Sequence, residues 1–149
     1  MNALEPSSPL SAGVRAANLL AQACQATDAL RFEVVRELAL QIGRQLNALV
    51  SLVGEEAVPD VLAEAAICCA DLANLAACNA PDLPSDATPR AVEAARLAAR
   101  AVEALGPMVE SRSGDPGSGD LIRDVRSAAW RAGFAARLLD EAAERRSLG

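Results

Sequence analysis

An all-α fold, an antiparallel up-and-down bundle of four to five helices with close alanine packing, is what three features of the sequence predict. Alanine fills 34 of 149 positions, and it has the strongest intrinsic preference for helix. Apolar residues recur at spacings of three and four through each long segment, and no alternating β-type run competes with them. Ser8-Pro9 and Thr88-Pro89 each combine a capping hydroxyl with proline at the first helical position. The chain is read as one domain, 1–149, with residues 1–8 as a flexible N-terminus. A domain of this length buries roughly 68–70% of its unfolded surface.

The first helix starts at Ser8-Pro9, with Val14, Ala17, Ala21 and Cys24 on one face and Arg15, Asn18, Gln22 and Gln25 opposite. Thr27-Asp28 can cap a second helix, but no glycine or proline enforces a break, so one continuous helix to Val53 is also compatible with the pattern. Val35, Leu38, Ala39, Ile42, Leu46, Leu49 and Val53 form the inward stripe of the second segment, which Gly54 ends. A third helix follows Pro59, placing Leu62, Ala65, Cys69, Leu72 and Ala76 inward and Asp60, Glu64, Asp71 and Asn74 outward. Residues 79–86 are rich in breakers and read as a loop. The fourth helix opens at Thr88-Pro89, buries Val92, Ala95, Ala99, Val102 and Leu105, and is expected to end or kink at Gly106-Pro107. Residues 110–119 are expected to form a flexible loop. The fifth helix, from about Asp120 to Arg146, carries the seam Ile122, Val125, Ala129, Ala132, Ala136, Leu139 and Ala143.

Composition excludes several chemistries. Histidine, lysine and tyrosine are absent, which removes the imidazole proton shuttle and metal ligand, the Schiff-base amine and the phenolic acid. The net charge of −6 argues against nucleic acid as a partner. No uncharged apolar run approaches the ~18 residues of a membrane span, and no secretory leader is evident. The chain is therefore expected to be cytoplasmic, off the membrane and without a cofactor. Charge is unevenly spread: seven acids and no arginine lie between Gln45 and Pro89, whereas ten arginines face nine acids from Arg90 onward.

The four cysteines contain no Cys-x-x-Cys spacing. Cys68 and Cys69 are neighbours, and Cys78 lies about 15 Å further along the same helix, so a zinc or cluster site is not expected. Cys69 belongs to the buried face of the third helix; Cys78 shares the side of Glu64 and Asp71 and is the candidate reactive thiol, with those carboxylates expected to raise its pKa. Glu141 and Glu144 have no matching pair on another helix and read as a solvated face. Catalytic and metal-ligating residues are therefore none.

The segment Gly-Asp-Pro-Gly-Ser-Gly-Asp-Leu (114–121), followed by Ala128-Ala129-Trp130-Arg131, resembles the loop–helix junction of the folate cyclodeaminase and methenyl-folate cyclohydrolase bundles. The resemblance spans about 20 residues. The Gly-rich N-terminal segment of that family is missing here, and no active-site residue carries over. What the resemblance implies is a small-molecule-binding bundle or enzyme.

Trp130, Phe134 and Leu138 form an i, i+4, i+8 ridge on the fifth helix, more than ~120° around from its alanine seam at about 100° per residue. Arg126 and Arg137 share the side of the ridge, with Arg123 and Glu141. Aromatic residues beside arginine are the composition of interface hot spots. The expected function is a non-catalytic bundle acting through protein–protein contact, most simply as a homodimer in which the Arg-rich fifth helix meets the acidic face of the third. The alternatives are a small-molecule binder or enzyme, and an acidic antitoxin or immunity-type protein. A cleft with two or more converging charged side chains favours the small-molecule alternative, and a flat apolar surface favours the interaction module.

Overall fold

The structure, a computed structural model, describes residues 9–50, 59–112 and 119–148. Five helices account for nearly all of them: α1 (Pro9–Cys24), α2 (Leu30–Val50), α3 (Pro59–Asn79), α4 (Thr88–Arg112) and α5 (Gly119–Leu148), with a single 3-10 turn, Ala80–Asp82, after α3. No strand is present among the described residues. α1, α2, α3 and α4 form an up-and-down ring closed by α1 against α4, and α5 lies in the groove between α3 and α4. Contacts across the elements establish their directions. Arg31 at the start of α2 meets Asp82 just beyond α3, and Arg126 early in α5 meets Glu110 late in α4. Both pairs are therefore antiparallel, as short connections favour.

Leu20, Leu46, Leu62, Leu72 and Leu105 are fully buried, each contributing roughly 1.5–3 kcal/mol by leaving water. Alanines fill the space between them, and small side chains let helix axes come close. At Gly13 of α1 an added Cβ would lie 2.8 Å from Cys69 Sγ and 3.0 Å from Leu46 Cδ1, so α1 touches α2 and α3 at a point with no spare room. The inward faces expected for α3 and α4 are buried as the sequence predicts. α3 is apolar almost all round because helices enclose it. The stretch Pro59–Asp82 is long and apolar enough to cross a membrane, yet it forms the middle of the bundle.

One point that the sequence leaves open is decided, and several expectations are corrected. α1 and α2 are separate helices, broken over residues 25–29. Thr27 Oγ1 accepts a hydrogen bond from Ala29 N at 3.3 Å, and folding back lets Cys24 and Phe32 both bury at the turn. Leu38 is exposed instead of inward, since α2 meets α1 closely but α3 only lightly. α4 runs through Gly106-Pro107 to Arg112, so Glu110–Arg112 are helical and not loop. Fully buried Leu105 and Val109 on either side hold the helix across the missing Pro107 N–H. Thr88 does not cap forward; its hydroxyl donates back to the Pro84 carbonyl at 3.1 Å. In α5 the buried arc is Val125, Ala128, Ala132, Ala135, Ala136 and Leu139, rotated slightly from the expected seam, with Ile122 and Ala129 half-buried. Residues 1–8, Val53, Gly54 and the loop core 113–118 lie outside the described residues, as does the Ala143 side chain.

Candidate functional site

α5 is positioned by its small inner face. Ala128, Ala132, Ala135 and Ala136 lie in the α3/α4 groove, and Val125 and Leu139 anchor the two ends. Three ion pairs fix its rotation. Arg96 of α4 donates from Nε (2.9 Å) and Nη2 (2.6 Å) to Asp140 Oδ1, and Arg126 Nε donates to Glu110 Oε1 at 2.8 Å. Arg131 reaches Asp71 of α3 at 3.9 Å. All are well exposed, so each contributes at most about 1 kcal/mol and acts mainly as a register pin.

That rotation turns the aromatic ridge outward. Trp130, Phe134 and Leu138 are 65%, 45% and 48% exposed. The two rings stack with centroids 5.4 Å apart and planes 6° from parallel. The chain has only three aromatic residues, and two of them stand in solvent while Phe32 alone is buried. Exposing large apolar side chains in a core otherwise short of them is the informative departure from ordinary burial.

Beside the ridge, α4 and α5 border an open cleft of about 530 Å³. Its floor is small: Ala99, Ala129, Gly133 and Ala136. Above Gly133 an added Cβ would meet nothing within 4 Å. Trp130 and Arg137 form one wall, Arg100 and Glu103 the other, and the Arg96–Asp140 pair closes one end. Arg100 and Arg137 make no ion pair or hydrogen bond with the described residues. The cleft depends on the relative register of α4 and α5, and no local pattern in the sequence signals it.

The sequence-derived candidates thus divide. Trp130, Phe134, Leu138 and Arg137 form one continuous surface, whereas Arg126 is engaged by Glu110. The acidic face expected to receive α5 of another copy is partly occupied, since Asp71 already meets Arg131 of its own chain.

The thiols separate sharply. Cys78 is exposed, on the side of exposed Glu64 and Asp71, while Cys24, Cys68 and Cys69 are buried and unpaired. The electrostatic influence of Glu64 and Asp71 falls on Cys68, whose pKa rises to about 11, first through burial and then through those carboxylates. Burial pushes the Cys69 thiol up to about 12, with a smaller contribution from Cys68. Among the described residues no cluster of three or more acids or cysteines could hold a metal ion.

A second polar cluster, at the other side of the bundle, was not legible in the sequence. Arg31 of α2 donates to Asp82 Oδ2 (2.7 Å), Asn79 Oδ1 (3.0 Å) and the Cys78 carbonyl (3.3 Å), while buried Asn79 donates to the Leu75 carbonyl at 2.8 Å. It ties the start of α2 to the end of α3 through four hydrogen bonds and serves as a clamp.

No protein family, curated protein or solved structure matches the chain.

Proposed function

We propose that this chain is a non-catalytic interaction module that binds another protein chain, most simply a second copy of itself, through the outer face of α5. The observation that carries the reading is the stacked, solvent-facing Trp130–Phe134 pair, continued by Leu138. Large aromatic side chains held rigidly beside an unpaired arginine supply contact area at little entropic loss. Three buried thiols without disulfide partners fit a reducing compartment such as the cytoplasm. An antitoxin or immunity role would be the same reading with a basic partner; the arginines around the ridge favour an acidic one instead.

The test is the solution mass of the wild type against Trp130→Ala with Phe134→Ser. Both side chains are exposed, so helicity should persist while the mass falls. A wild type that stays monomeric at high micromolar concentration and binds no other chain contradicts the reading.

A second reading is favoured by the α4/α5 cleft. Arg100 and Arg137 converge beside an indole over a floor of small residues, which suits a small planar anion and accords with the folate-enzyme resemblance. Titration with aromatic carboxylates, followed by Trp130 emission, separates the two readings. Saturable quenching lost in Arg100→Ala favours the cleft as a ligand site.

A further inference from the structure

A second apolar ridge lies on α2. Leu30, Val34 and Leu38 are 75%, 55% and 43% exposed, and they repeat the i, i+4, i+8 spacing of Trp130, Phe134 and Leu138. These six are the chain's exposed large apolar residues among those described. α2 and α5 do not pack against one another, so the ridges belong to different faces of the molecule. We infer that the two ridges are complementary halves of one contact, α2 of one copy docking on α5 of the next. The inference rests on the proposed reading of the α5 ridge as an interface and names what covers it.

Charge decides the orientation. At about 100° per residue, Glu37 and Glu33 fall about 60° and 100° to one side of Val34. Arg137 falls about 60° to the same rotational side of Phe134, whereas Arg126 on that side and Arg131 on the other are already engaged by Glu110 and Asp71. Two helices packed face to face bring like-sided flanks together only when they run antiparallel. With Val34 opposite Phe134, Leu30 then meets Leu138 and Leu38 meets Trp130. Glu33 stands within about 3 Å along the axis of Arg137. Neither Glu33 nor Arg137 has a partner within the described part of its own chain. Arg31, the base on the other flank of α2, does not oppose the approach, because Asn79 and Asp82 hold it. The apolar ridges supply affinity, and the rim charges set direction and association rate.

Such a contact is heterologous, using two different patches, in contrast to a two-fold contact that uses one patch twice. Complementation distinguishes them. One variant carries Leu30→Gln with Val34→Gln; the other carries Trp130→Ala with Phe134→Ser. Sedimentation is measured for the wild type, each variant alone and a 1:1 mixture, with circular dichroism confirming that both variants are folded. The expected result is association of the wild type, weakening of about tenfold or more in each variant alone, and recovered association in the mixture, where one intact α2 ridge meets one intact α5 ridge. An α2 variant that associates like the wild type while the α5 variant does not overturns this inference and leaves the α5 interface standing. A mixture that fails to recover also overturns it. A wild type monomeric at high micromolar concentration removes self-association altogether. Should the Leu30/Val34 variant not fold, Glu33→Arg and Arg137→Glu replace the pair of variants. Each alone should slow association, and their combination in one chain should restore it; no restoration overturns the inference.

Discussion

α3 and α5 are both built largely from alanine, yet they use it in opposite ways. α3 is enclosed by the other helices, and its alanines, Cys68 and Cys69 are buried on nearly every side. α5 buries only one arc of small residues, and it carries its bulk outside, in Trp130, Phe134 and Leu138. Alanine in α3 therefore serves close packing from several directions, while alanine in α5 serves to seat a helix whose other face is exposed. The same residue type thus marks the centre of the fold in one helix and the back of an exposed surface in the other.

The strongest challenge to this contrast is overpacking of the α5 seat. Ala132 is fully buried, whereas Ala142 is half-buried near the chain end. Ala132→Leu should lower the denaturation midpoint by the equivalent of roughly 1–3 kcal/mol, and Ala142→Leu by much less. Equal midpoints would mean that α5 is not seated through its alanines.

A smaller effect is expected at the α3 side of the core. Gly13→Ala places a Cβ 2.8 Å from Cys69 Sγ, a contact that must yield. The strain opposes a gain of about 1 kcal/mol in helix propensity, so the net loss should be modest. Cys69→Ala in the same chain should relieve it. Additive losses in a double-mutant cycle would show that the two positions do not meet.

The thiols sharpen the comparison without altering the fold. Under native conditions Cys78 should label first and Cys69 last, as peptide mapping would report; the reverse order would place the α3 face wrongly. Cys68 and Cys69 ionise more easily when unfolded, near the ordinary value of 9.0, than when folded, at about 11 and about 12. Their contribution to stability is thus complete below pH 9 and falls as pH rises through 11 and 12. A melting temperature that rises between pH 9 and 11 would contradict their burial.

Much of this fold was legible in the sequence wherever a local signal coincided with the tertiary demand. Pro9, Pro59 and Thr88 begin their helices as expected, and the buried faces of α3 and α4 follow their apolar stripes. The outward ridge of α5 was legible because three large residues stand on the side away from an alanine seam. The break before Leu30 was ambiguous, since only a threonine hydroxyl and the gain from folding back enforce it. The exposed ridge of α2 is not legible in the sequence, because periodicity identifies an apolar face but cannot count the helices available to cover it. The α4/α5 cleft and the Arg31–Asn79–Asp82 clamp depend on contacts between positions distant in the chain, which no local pattern encodes.

Trp130 is the only tryptophan in the chain, so its emission reads the central claim directly. Measured from nanomolar to high micromolar concentration, the indole should emit at long, water-exposed wavelengths when dilute and shift to shorter wavelengths as copies associate. Emission typical of a buried indole at every concentration would place the ridge in the core and contradict the account. Emission that stays water-exposed throughout would show that no second copy covers it.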